Sequence, residues 1–260
     1  MINIILELQD RLITVALLYA RITPIFMILP VLNSSVLGNN FIRNAVILAI
    51  IIGLWPAIDL TLPVANPSIL EYVGLAMKEV LIGSTIGFVS SIPFWIFNAF
   101  GAYIDVARGS SMGSMIDPTS GQESTEIQNF INFCVCAVYL QLGGLNLLME
   151  GLVLSYQNIG LKQGLSINLN QVVPFLGEVF NNGFILAAPV LLTLLMSEVL
   201  LGLLSRFTPQ LNAFSVSMTI KSVIAIFVLS LYFWHIMPEY LTQYMHDYAE
   251  WNLLYGVKRP

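Results

Sequence analysis

Apolar residues run along this chain in long stretches, at about 12–32, 44–58, 80–104, 127–155, 184–204 and 222–238, separated by more polar segments. Crossing a hydrocarbon layer about 30 Å thick takes about 20 helical residues, so several of these stretches are long enough to span and others, such as "AVILAIIIGLW", are short. The third opens with an amphipathic prelude carrying Glu71, Lys78 and Glu79. No alternation of strands and helices occurs anywhere, so the pattern predicts an all-α, membrane-associated chain of helical hairpins with irregular helices.

Pro93 in "SSIPFWIF" and Pro189 in "LAAPVLL" each remove a backbone hydrogen bond within an apolar run and are expected to kink it, which implies protein neighbours there. Gly83 and Gly87 frame a small-xxx-small surface that would let another helix approach closely. "RITP" at 21–24 returns as "RFTP" at 206–209, and both are read as joining apolar helix to irregular backbone. Near the end, Tyr240, Leu241, Tyr244, Met245, Tyr248, Trp251 and Tyr255 form one helical stripe, so 239–256 is expected to be an amphipathic helix docked on protein. Against this background one stretch stands out. "VARGSSMGSMIDPTSGQESTE", 106–126, is polar and glycine-rich, and a loop of that length is usually functional or disordered.

Composition sharpens the class. The 260 residues are 57% hydrophobic and only 10% charged, with a mean hydropathy of +0.81. A soluble domain carries about 25% charged residues. The net charge of −5 comes with no basic cluster, which excludes a nucleic-acid partner and a polybasic grip on anionic lipid. The N-terminal stretch carries acids before its apolar core and lacks a small-residue cleavage site, so it reads as a first hydrophobic helix. Cys134 and Cys136 lie two apart in an apolar run, point to different helix faces and read as packing residues.

Three charges interrupt the apolar runs: Arg21, Glu150 and Glu198. Each would cost at least about 2.5 kcal/mol facing lipid at mid-bilayer, so they are expected to face water or partners, the alternative being local pairing or snorkelling at the segment ends. If the six stretches cross alternately, Arg11, Lys78, Lys162, Lys258 and Arg259 fall on one side and Arg43, Arg108, Arg206 and Lys221 on the other. That balance gives no orientation, which is odd for an independent spanning bundle.

Catalysis finds little support. Gly109-Ser110-Ser111-Met112-Gly113 matches the spelling of a nucleophile elbow, with Asp117 and His235 or His246 downstream, but the elbow needs a strand before it and a doubly wound sheet around it. An intramembrane serine protease pairing Ser111 with His235 is an unfavoured alternative, because Met112 follows the serine and Ser111 lies in a polar loop. No metal-binding or phosphate-binding motif appears, and no cofactor is implied. A small polytopic transporter with an intramembrane site around Glu198 and Arg206 is the leading alternative of another kind.

Four ordered strings carry a resemblance: "RNAVILAIIIGLWP" at 43–56, "PFWIFNAFGAYIDVARGSSMGSMIDP" at 93–118, "YLQLGGL" at 139–145 and "SEVLLGLLSRFTPQLNAFSVSMTIKSVIA" at 197–225. Together they resemble the SctT/SpaR family of type III secretion export apparatus proteins, with FliR as the flagellar counterpart. The resemblance implies a structural, non-enzymatic subunit of an export gate in the bacterial inner membrane, multi-pass and partly raised toward the periplasm. Its implied partners are several copies of SctR and SctS, the switch protein SctU, membrane lipid and the unfolded secreted chains that pass through.

In the flagellar relative the matching loop helps plug the channel. That assigns a pore plug to Gly109, Ser110, Ser111, Met112, Gly113, Ser114, Met115, Ile116, Asp117 and Pro118, within a plug segment 109–126 between helical halves 1–108 and 127–260. Glycine and serine permit sharp turns, and methionine and isoleucine supply compliant apolar bulk. Asp105 and Arg108, three apart at a helix end, are expected to pair and anchor the loop root. Glu198, Arg206, Pro209, Gln210, Asn212 and Lys221 are expected to face partner subunits or the pore entrance, the alternative being that they satisfy backbone at a broken helix. Ala107 departs from the glutamine that relatives often carry beside the Arg-Gly pair.

Overall fold

The computed structural model describes residues 2–33, 38–54, 69–110, 125–159, 172–207 and 213–249. Seven α-helices account for nearly all of them: α1 (Ile2–Ile28), α2 (Asn40–Leu54), α3 (Ile69–Arg108), α4 (Glu126–Gln141), α5 (Gly144–Asn158), α6 (Val172–Phe207) and α7 (Ala213–Ala249), with a short 3-10 turn at Pro30–Leu32. No strand occurs among the described residues. Among the described residues four helices are long and apolar enough to cross a membrane, or five spans if α4 and α5 together count as one broken span.

Where the apolar run at 127–155 suggested continuity, the helix breaks at Gly143, whose φ of +79° lies in the left-handed region that costs glycine nothing. The prolines, in contrast, do not end their helices: Pro93 lies inside α3, Pro189 inside α6, and Pro24 and Pro238 inside α1 and α7. Pro24 corrects the first half of the "RITP"/"RFTP" echo, because α1 continues through it to Ile28 rather than passing into irregular backbone. Thr23 turns its hydroxyl back onto the Tyr19 carbonyl at 2.7 Å, one turn earlier. Pro209, in the second copy, lies outside the described residues. Residues 239–249 form the end of α7 and not a separate helix; Leu241 and Tyr244 are buried there as the stripe requires, while 250–256 lies outside the described residues.

The chain packs as two compact units. The first takes residues 1–92, 143–171 and 245–260, and its described core is built on Leu18, Ile22, Ile25 and Phe26 of α1, Ile47 and Ile51 of α2, Ile82 and Ile86 of α3, and Leu148 and Leu152 of α5. α1 and α3 approach closely because of the glycine pair on α3: a Cβ at Gly83 would lie 1.9 Å from the Arg21 carbonyl oxygen, and one at Gly87 would lie 3.0 Å from the Ile25 Cα. The second unit takes residues 93–142 and 172–244, around Phe97, Phe100 and Ile104 of α3, Ile131 and Val135 of α4, Val190 of α6 and Phe233 and Met237 of α7. Here Gly101 admits the Gln128 backbone and Gly183 admits Ala99, while Phe94 packs on Tyr139 with ring centres 4.9 Å apart. Both sequence halves, 1–108 and 127–260, contribute to each unit.

Candidate functional site

The end of α3 is closed by a hydrogen-bond pattern that defines the Schellman motif. Gly109, with φ +88°, donates its N–H to the Val106 carbonyl at 3.0 Å, and Ser110 donates to the Asp105 carbonyl at 3.1 Å. The Ser110 hydroxyl donates to the same Asp105 oxygen at 2.8 Å. Glycine suits this position twice over, since the left-handed backbone disfavours a side chain and Met218 Cε would sit 3.3 Å from any Cβ.

Asp105 is 1% exposed, and its carboxylate works in two directions. Oδ1 receives both Nε and Nη2 of Arg108, each at 2.8 Å, which is the pairing expected from their spacing. Oδ2 receives the backbone N–H of Gln128 at 2.9 Å, in the first turn of α4. The residue preceding α4, Thr125, makes no side-chain cap, so the carboxylate of Asp105 takes over that duty and sets a negative charge at the positive end of the helix. The Gln128 side chain donates in turn to the Asn98 oxygen. One residue therefore ties down both flanks of the stretch 111–124. Beside this root an open cavity of about 330 Å³ is lined by Arg108 and Glu126 together with Phe130, Leu229, Phe233 and Trp234, a mostly apolar lining suited to an apolar side chain.

Of the residues assigned to the plug, Gly109 and Ser110 belong to this root, whereas Ser111, Met112, Gly113, Ser114, Met115, Ile116, Asp117 and Pro118 lie outside the described residues. Pro209, Gln210 and Asn212 lie outside them as well. Glu198 of α6 and Lys221 of α7 are brought together at 2.8 Å, with the lysine side chain 10% exposed and the glutamate 61% exposed. Arg206 is exposed in the last turn of α6, and His235 is exposed on α7. Lys78 and Lys221 sit inside long helices and do not flank them, so the even charge tally across six alternating spans loses its premise.

Arg21 is the charge whose surroundings differ most from expectation. It is fully buried, and its shelter comes from its own chain. Nε donates to Glu79 Oε2 at 2.6 Å, Nη1 to the Ser155 hydroxyl at 3.0 Å and Nη2 to the Ile159 carbonyl at 2.9 Å. The guanidinium lies over the Tyr156 ring, 3.9 Å from its centre. Partners 58 and 134 positions away leave no signature in local spacing, which is why sequence reasoning found the arginine and missed its partners. Of the other internal charges, Glu150 is exposed. Cys136 is buried and Cys134 half-buried.

Comparison with known proteins agrees with this helical, membrane-suited architecture. The profile of bacterial export proteins, family 1, matches residues 12–247. The chain is 40% identical over 234 residues to the surface presentation of antigens protein SpaR of Salmonella typhimurium, covering 90% of this chain and 88% of that protein. It is 31% identical over 241 residues to the Yop proteins translocation protein T of Yersinia pestis, covering 89% and 90%. The flagellar biosynthetic protein FliR of Bacillus subtilis is 30% identical over 223 residues, covering 82% and 83%. With a match that runs through both packed units and nearly the whole chain, this protein belongs to family 1 of the bacterial export proteins, alongside SpaR and FliR.

Proposed function

We propose that this chain is a structural and gating subunit of a type III secretion export gate in the bacterial inner membrane, and that the segment 109–126, between helical halves 1–108 and 127–260, closes the conduit for unfolded secreted proteins. The observation that carries the gating reading is Asp105, whose backbone carbonyl accepts from Ser110 on one side of the segment and whose buried carboxylate accepts from Gln128 on the other. A plug must yield in its middle while its ends stay put, and a buried, charge-assisted root meets the second requirement. Met112, Met115 and Ile116 would form the seal.

The chain performs no catalysis in this reading and needs no cofactor. Its partners are SctR, SctS and SctU type subunits, membrane lipid and the exported chains. Exposed Leu192, Leu195, Met196, Val199, Leu200, Leu203 and Leu204 on α6 supply apolar surface for lipid or a neighbouring helix, and Glu198 with Lys221 marks a polar point on it. Arg206, Pro209, Gln210 and Asn212 are assigned to partner contacts or the pore entrance.

Native mass spectrometry of the complex purified through this chain tests the assignment. The expected result is a single copy within a larger assembly of different chains. A small uniform oligomer of this chain alone would instead support the transporter reading around Glu198 and Arg206. For the plug, deletion of residues 110–116 in cells expressing the full apparatus is expected to cause ion leakage, and unchanged membrane conductance would overturn it.

A further inference from the structure

Burying an arginine in an apolar core carries a penalty of several kcal/mol, which a pairing partner offsets only when the geometry is good and the remaining donors are satisfied. At Arg21 the arrangement goes beyond ion pairing. Glu79 engages a single nitrogen of the guanidinium, its other oxygen lying 3.8 Å from Lys78 Nζ, and the other two bonded nitrogens of Arg21 reach Ser155, in the last turn of α5, and the Ile159 carbonyl immediately past the end of that helix. That carbonyl is one of the groups a helix leaves without an internal partner, and a cation there also meets the negative end of the helix dipole. Tyr156, from the same turn, places its ring under the guanidinium and donates its hydroxyl to the Leu18 carbonyl of α1 at 3.3 Å. The backbone of Arg21 is fixed independently by its contact with Gly83.

We infer that Arg21 is a positioning residue for export, whose guanidinium fork fastens the C-terminal end of α5 to α1 and α3 in the form of the first unit that the export gate uses. The inference deepens the gate reading and rests on it for its link to secretion. Planarity is the decisive property. Lysine at this position would keep a positive charge opposite Glu79 but has one nitrogen, which cannot serve Glu79, Ser155 and Ile159 in the fixed fan that guanidinium provides, nor stack flat on Tyr156. Charge alone predicts that the lysine variant works, and the fork predicts that it does not.

The test measures amide hydrogen exchange at Ile159, whose N–H bonds to the Ser155 carbonyl at 2.9 Å, in the purified export complex, together with secretion from cells. In Arg21→Lys the Ile159 amide is expected to exchange about tenfold faster or more, as the local opening of this turn becomes easier, and secretion to fall. The apolar double variant Arg21→Met with Glu79→Leu, which removes both buried charges while keeping the space filled, is expected to match that faster exchange and reduced secretion in complexes that still assemble. If Arg21→Lys does not assemble, Ser155→Ala reports instead, with a smaller rise of about threefold. Wild-type exchange at Ile159 in whichever variant assembles overturns the clasp. Faster exchange with undiminished secretion, or full secretion by the double variant, overturns its role in export. Cells lacking the whole chain provide the separate check on the gate reading, which fails if they secrete normally.

Discussion

Oδ2 of Asp105 accepts the main-chain N–H of Gln128 at 2.9 Å, joining the end of one helix to the start of the next across 23 positions of sequence. The same carboxylate holds Arg108 through its other oxygen. Substituting Asp105 by alanine leaves the Arg108 guanidinium, 11% exposed, and the Gln128 amide without this acceptor. The expected loss is about 2–3 kcal/mol, the range for removing one partner from buried, charge-assisted bonds. A thermal midpoint of the purified complex within a degree of wild type would contradict this account.

Gly109 offers a graded test, because its φ of +88° is tolerated by glycine, borne by asparagine and resisted by other residues. Midpoints are expected to fall in the order Gly, Asn, Ala, Val, with alanine costing about 1–2 kcal/mol. Valine should be worst, since its branches would press on Met218. Equal behaviour of alanine and asparagine would show that the left-handed conformation is not what the position demands.

On α3, two glycines should respond to the same substitution with opposite sign. Gly83→Ala drives a methyl group to within 1.9 Å of the Arg21 carbonyl oxygen, a contact between backbones that no rotamer change relieves. The expected outcome is a loss of at least about 2 kcal/mol, or failure to accumulate folded protein. Gly74→Ala meets nothing within 4 Å and should stabilise the helix by about 0.5–1 kcal/mol. Expression level and thermal midpoint of the two variants decide the matter.

The Glu198–Lys221 pair is asymmetric, and its two halves should not be equivalent. Glu198→Gln strands an ammonium group that is 10% exposed, whereas Lys221→Met leaves behind a carboxylate that is 61% exposed. The glutamine variant should therefore be the less stable, by about 1 kcal/mol. Thermal midpoints of the two complexes measured side by side would expose an equal or inverted order.

The helical class followed from the apolar runs, and the Asp105–Arg108 contact followed from a three-residue spacing at a helix end, because both depend only on near neighbours along the chain. Gly83 and Gly87 were legible as a place of close approach for the same reason, although α1 as the approaching helix was not. What escaped were the bonds of Asp105 to Gln128 and of Arg21 to Glu79, Ser155 and Ile159, since these are set by packing between distant segments. The helix break at Gly143 escaped for a different reason. In "LQLGGL" a glycine pair is compatible with either a bend or a tight helix contact, and only the φ of +79° separates the two.

A ring fastened at its base can be re-sized without disturbing the frame that bears it. Since Ser110 and Gln128 both bond to one aspartate, the two flanks of the stretch 111–124 are held by the helices themselves; closing a chain segment between two such points costs only about 0.6 kcal/mol more for each doubling of its length. Under the proposed gating role, the plug segment could change length while the helices on either side of it keep their plan.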